Sequence, residues 1–149
     1  MNRFKSSAHA VYELNYHFVW APKYRKKILS LFQDELRDIF FQIAEEYDFQ
    51  IIEMGIMPDH IHILLSAPPR FSPARIVNIL KSISARELFK RYPHLEEVCW
   101  SRKIWEDGYF VRAVGEKVSS QIIQEYIRYQ RESRVRQPLL FDSPTDGEP

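Results

Sequence analysis

The chain has 149 residues, 45% apolar and 14% aromatic, with 21 bases against 20 acids. That describes one folded domain, excludes a disordered chain, and leaves a net charge too small to indicate a polyanionic partner by itself. Four glycines leave no Gly-rich phosphate loop, a single cysteine excludes an intrachain disulfide and a Cys-based zinc cluster, and no apolar run reaches membrane-spanning length.

The N-terminus shows no signal-peptide core, which points to a cytoplasmic protein. Residues 10–20, rich in aromatic and β-branched side chains, predict a strand ended by Ala21-Pro22. Over residues 30–47, Leu31, Phe32, Leu36, Ile39, Phe40, Ile43 and Ala44 recur at helical spacing. Residues 49–57 predict a second strand, Pro58-Asp59 a turn, and 60–66 a third strand. Ser72-Pro73 has the form of an N-cap with proline at the first helical position, predicting a helix to about Tyr92 that Pro93 stops. Residues 103–114 predict a fourth strand, bent at Gly108. Gly115 then breaks the chain before a third amphipathic helix over 117–134. The tail, 137–149, holds three acids, three prolines and no base, and is expected to be extended or disordered. The order β-α-β-β-α-β-α predicts an α+β domain over residues 1–136. Its frame is a ferredoxin-like βαββαβ antiparallel sheet with helices on one face, plus an appended C-terminal helix.

The chemistry starts at Pro58-Asp59-His60-Ile61-His62-Ile63-Leu64-Leu65. Side chains alternate along a strand, so His60 and His62 share one face while Ile61, Ile63 and Leu65 share the other. Taken alone, the pair is either a divalent-metal site or two ordinary polar residues. Asp59 suits the turn, and a role as general base or as partner of His60 is secondary. On the last predicted helix, Tyr126 and Gln130 stand four residues apart and so lie on one face. Tyr129, about 60° away around the helix, is a rival to Tyr126. Trp20, Trp100 and Trp105 read as core or interface residues.

Five segments in order complete the pattern: Tyr16-His17-Phe18-Val19-Trp20 with Lys23-Tyr24-Arg25; Met57 to Leu65; Leu80-Lys81 to Ala85-Arg86; Trp105 with Gly108-Tyr109-Phe110-Val111; and Tyr126-Ile127-Arg128-Tyr129-Gln130. Over residues 8–134 the chain resembles the one-tyrosine HUH transposases of small bacterial and archaeal insertion sequences, whose fold is also ferredoxin-like. The resemblance implies a nuclease and strand transferase acting on single-stranded DNA with hairpins. His60, His62 and Gln130 would bind Mg²⁺ or Mn²⁺. Tyr126, favoured over Tyr129 by the family pattern, would attack the scissile phosphate and form a 5′-phosphotyrosine. That link keeps most of the phosphodiester's free energy, so no nucleotide cofactor is needed. The resemblance further implies a homodimer whose tyrosine helix completes the partner's histidine pair, with no membrane association. Lys23, Arg25 and Lys26, interleaved with Tyr24, are candidate DNA contacts, as are Lys81, Arg86 and Arg128. A solvated loop is the competing reading for the cluster at 23–26, and an ordinary charged helix face for Arg128. A domesticated relative acting on repetitive palindromes would share the chemistry. A non-catalytic ferredoxin-like nucleic-acid-binding module would place aromatics where His60 and His62 stand. A His-based metal oxidase would want a carboxylate ligand, and none is obviously spaced for it.

Overall fold

The structure, a computed structural model, describes residues 4–7, 10–99 and 103–115. The expected helix over 117–134 and the tail from 137 lie outside the described residues, as does Trp100.

The main sheet has four strands, β3 (Asn15–Trp20), β4 (Gln50–Met57), β5 (His60–Ser66) and β6 (Phe110–Val114), in the order β4-β5-β3-β6. Every neighbouring pair is antiparallel. Helix α1 (Gln33–Tyr47) connects β3 to β4, and α2 (Pro73–Arg91) lies between β5 and β6. The β-α-β-β-α-β order expected from the sequence is therefore present. The start differs. Residues 10–20 do not form one strand: β2 (Val11–Tyr12) pairs with β1 (Lys5–Ser6) in a small separate hairpin.

One core holds these elements together. Phe18, Trp20, Ile61, Ile63 and Leu65 from the sheet meet Leu36, Ile39, Phe40 and Ile43 from α1 and Ile76, Val77 and Leu80 from α2. The helical residues recur at the three- and four-residue spacing of a single stripe, so both helices bury against the same sheet face. Trp20 is fully buried, with its ring edge-on to Phe40 and to Trp105, each at 5.8 Å. The Trp105 indole N–H donates to Ser84 Oγ at 3.0 Å.

Local chemistry sets the element ends. A short 3₁₀ turn, Leu29–Phe32, precedes α1 and delays its start from residue 30 to 33. Helix α1 closes on Asp48, whose left-handed backbone (φ 64°) turns the next N–H, that of Phe49, back to the Ala44 carbonyl at 2.9 Å. Asp tolerates that conformation better than most residues. At the start of α2, Ser72 Oγ accepts from the Arg75 N–H at 3.1 Å and Pro73 follows, as expected. A five-residue helix, α3 (Leu95–Cys99), was not anticipated.

The expected strand over 103–114 is shorter. Only Phe110–Val114 joins the sheet, while residues 103–109 touch it through a single bridge between Trp105 and Pro22. Lys81 explains the shortening. Its ammonium donates to the carbonyls of Glu106 (2.7 Å), Asp107 (3.3 Å) and Gly108 (3.2 Å). Three consecutive carbonyls drawn toward one cation cannot alternate as a strand ladder requires.

Candidate active site

Strand β5 is buried along its whole length, unlike a strand with one face in solvent. Ile61, Ile63 and Leu65 enter the helical core. His60 and His62 occupy the opposite face and are 5% and 4% exposed. Their ring centroids are 6.4 Å apart and the planes tilt by 31°.

Each ring is held by a different device. Asp59 Oδ1 lies 3.0 Å from His60 Nδ1, and both residues are buried. A carboxylate there places the proton on Nδ1 and leaves Nε2 with its lone pair outward. That hydrogen bond holds the Asp59 carboxyl below its usual range. Burial opposes the effect, and the charges of His60 and Arg25 assist it. Asp59 thus does more than shape the turn, the role first expected of it.

His62 lies over Gly55, its register partner on β4. A Cβ at position 55 would overlap Nε2 and stand 2.6 Å from Cε1 and 2.9 Å from Cδ2. The glycine is therefore a steric requirement of the imidazole. A bulge places it there. Ile51 pairs with Leu65 but Glu53 pairs with Leu64, so Ile52 is the extra residue. That single insertion moves β4 by one residue and turns Gly55 to the histidine face, where Met54 or Ile56 would otherwise stand. Burial, followed by the charges of His17 and His60, lowers the His62 pKa to about 4. His62 is consequently neutral at pH 7, the form that donates a lone pair to a metal. Its Nδ1 is buried without a hydrogen-bond partner among the described residues.

A third histidine adjoins the pair. His17, on β3 and 1% exposed, sets its ring edge-on to His62 at 6.0 Å and to Phe110 at 6.4 Å. Burial and then the charge of Arg112 lower its pKa to about 4. Sequence reasoning singled out neither His17 nor Gly55 as a site residue. The usable signals were an isolated glycine within a strand pattern and a histidine on a strand neighbouring the His-x-His strand. Among the described residues, no three His, Cys, Asp or Glu side chains are grouped so as to hold a metal ion. Tyr126, Arg128 and Gln130 lie outside the described residues.

The basic candidates separate by position. Lys23 and Arg25 sit in the turn after β3, with Lys26 next to them. Lys23 and Lys26 are half-buried, whereas the guanidinium nitrogens of Arg25, expected to contact DNA, are buried and its charge is directed to the protein. Segment 25–29 lies against the Pro58-Asp59 turn: the Leu29 N–H donates to the Pro58 carbonyl at 3.0 Å, and the Arg25 charge acts on Asp59. Arg86 is exposed on α2. Lys81 was expected to contact DNA, but its ammonium is taken up by three carbonyls and clamps the 106–108 segment. Burial lowers its pKa, while Asp107 and Glu106 oppose that shift. Trp20 and Trp105 are core residues, as expected.

Known proteins resemble this chain in sequence and fold. The family described as "Transposase IS200 like" matches residues 10–130. The ISDra2 transposase TnpA of Deinococcus radiodurans is 41% identical over 123 residues, spanning 82% of this chain and 87% of that protein. A 1.90 Å crystal structure from Deinococcus radiodurans, described as a candidate transposase, superposes with a TM-score of 0.68 at 38% identity, covering 85% of this chain and 97% of the other. The structure of a REP-associated tyrosine transposase bound to a REP hairpin shares the fold, with a TM-score of 0.58 at 16% identity over 87% of this chain and 74% of that one. The mixed helix and antiparallel-sheet fold is thus that of transposase structures. The chain belongs to the IS200-like tyrosine transposase family, whose members cleave DNA and transfer its strands. Among the described residues, no helix is long and apolar enough to cross a membrane.

Proposed function

We propose that this transposase is a metal-dependent enzyme that cleaves and rejoins single-stranded DNA at hairpin-bearing element ends, on a ferredoxin-like frame. The observation that carries the reading is the buried His60–His62 pair, one ring oriented by Asp59 and the other seated over Gly55, in a chain of this family.

The donor set fits a divalent cation. His60 presents Nε2 because Asp59 occupies Nδ1, and His62 is neutral in a cradle that a Cβ would fill. His60 and His62 would hold Mg²⁺ or Mn²⁺, with the Gln130 amide oxygen as third protein ligand. When bound, the ion supplies Lewis-acid polarisation of the scissile phosphate. Tyr126 oxygen attacks the phosphorus, and the bond from phosphorus to the 3′ oxygen breaks. The products are a 5′-phosphotyrosine and a free 3′-hydroxyl. Attack by a different 3′-hydroxyl reverses the step and joins new ends. A free phenol has a pKa of roughly 10, so the attacking oxygen needs cationic surroundings. The Arg128 side chain and the Lys23 and Lys26 ammonium groups of the basic turn are the groups of this chain offered for that purpose and for phosphate contact.

In this reading two chains form the working unit, and the tyrosine helix of one completes the histidine pair of the other. Gly115 is the joint. Among the described residues nothing lies within 4 Å of a Cβ built there, and its φ is not left-handed. A glycine would give that joint freedom to change conformation.

The test is a denaturing gel with single strands tiling the DNA that flanks the coding sequence, in Mg²⁺ or Mn²⁺. The expected result is a denaturant-resistant protein–DNA adduct, abolished by EDTA and by Tyr126→Phe. Binding without an adduct in any metal overturns the catalytic reading. An adduct that survives in Tyr126→Phe moves the nucleophile to another residue, Tyr129 first.

A further inference from the structure

Among the described residues, three other than glycine adopt a left-handed backbone: Asp48, Tyr24 and Arg25. Asp48 has a structural reason, because its conformation closes α1. Tyr24 and Arg25 cap no helix. They follow Pro22 in a turn closed by the Arg25 N–H on the Pro22 carbonyl at 2.8 Å. Tyr24, at φ 60° and ψ 16°, occupies the position that such turns ordinarily give to Gly or Asn. A bulky aromatic there is strained.

Burial does not offset that strain. Tyr24 is 68% exposed. Nor is the turn free to relax, since it is tied down on both sides. The Lys23 N–H donates to the Ile104 carbonyl at 2.7 Å, the Glu106 N–H donates to the Ala21 carbonyl at 3.0 Å, and Leu29 bonds to Pro58. The fold thus holds an aromatic ring outward at a strained position and gains little packing from it. Strain of this kind collects where a side chain is presented to a ligand.

The surroundings specify the ligand. The Lys23 ammonium lies 5.4 Å from the ring centroid, and Arg25, Lys26 and Lys27 follow directly. The Arg25 guanidinium nitrogens are buried, but the three lysines among these five residues select a polyanion, and a flat exposed ring among them selects an unpaired base. The turn also adjoins the site, because Leu29 is bonded to Pro58 and the next residue, Asp59, orients His60.

We propose that Tyr24 is a stacking platform for an unpaired DNA base beside the scissile phosphate, with Lys23 and Lys26 holding the flanking phosphates. This rests on the reading of the chain as a single-stranded-DNA transposase and adds to it a residue that contacts a base. The ring, not the hydroxyl, carries the interaction, so phenylalanine serves as well. Glycine removes the ring and the strain together.

The experiment uses the full chain and the same tiled strands, with 2-aminopurine placed at successive positions around the cleavage point. The wild type and Tyr24→Phe are expected to quench the probe at one or two adjacent positions. Tyr24→Ala and Tyr24→Gly are expected to lose that quenching and to bind roughly 5- to 100-fold more weakly. Tyr24→Gly is expected to melt close to the wild type, because losing the Cβ removes the left-handed strain and offsets the entropy that glycine adds to the unfolded chain. Unchanged quenching and affinity in Tyr24→Gly overturn the proposal. So does a Tyr24→Gly protein that melts well below the wild type, which would make the ring part of the fold. A wild type that forms no adduct overturns the enzyme reading, while the quenching still decides Tyr24. A wild type that binds no strand overturns both.

Discussion

The two faces of β5 are equally buried and energetically opposite. On one face, Ile61, Ile63 and Leu65 pack against the helices, where removal from water stabilises the fold by roughly 1.5–3 kcal/mol per side chain. On the other, His60 and His62 are buried at 5% and 4% exposure beside a buried His17. Burial there disfavours the protonated form, and His62 and His17 are both shifted to about 4. One face holds the domain together. The other holds polar groups in a dry, fixed geometry at a cost to the fold. Alternation along a single strand brings the two within one residue of each other, so rigidity on the first face is transmitted directly to the second.

Substitutions on the two faces should separate stability from chemistry. Ile63→Ala removes a fully buried side chain from the core face. It should destabilise the protein by about 4 kcal/mol in urea unfolding, and the folded fraction should still form adduct. An Ile63→Ala protein that unfolds like the wild type would mean that this face is not the structural one. Gly55→Ala does the reverse. Its methyl displaces the His62 ring while the β4–β5 ladder persists. Metal affinity by calorimetry and adduct yield should each fall about 100-fold, equivalent to about 3 kcal/mol. A Gly55→Ala protein of normal affinity would show that the ring relaxes without leaving the site.

The smallest effect is set by pH. In the folded protein His62 and His17 have pKa values lowered to about 4 from an unfolded value of 6.5. Between those values the unfolded chain binds more protons than the folded one, so stability rises with pH. It should be flat above about pH 7 and fall as pH drops through 6.5 toward 4. From pH 7 to 5.5 the loss should be about 1 kcal/mol per histidine. Thermal melts in EDTA measure it. A His17→Phe protein with half the slope would divide the effect between the two rings, whereas an unchanged slope would assign it to His62 and other groups.

Much of the frame was legible because it depends on neighbours in sequence. The stripe in α1, the Ser72-Pro73 cap of α2 and the 60–66 strand each follow from local spacing. The strand expected over 103–114 failed for a distant reason, the Lys81 ammonium drawing in three carbonyls. That contact spans some 25 residues, and no local pattern encodes it. The same contact gives Lys81 a structural task, although its position in the chain suggested DNA.

The site divides along the same line. Period-two alternation alone put His60 and His62 on one face, because side-chain direction in a strand is a property of the backbone. Gly55, the Ile52 bulge, the Asp59 hydrogen bond and the approach of His17 were decided by pairing between strands. Only a folded sheet says which residue lies under which ring. The left-handed turn that presents Tyr24 belongs with them. It is held by hydrogen bonds to residues 58 and 104, which only the tertiary structure brings beside residues 22–29.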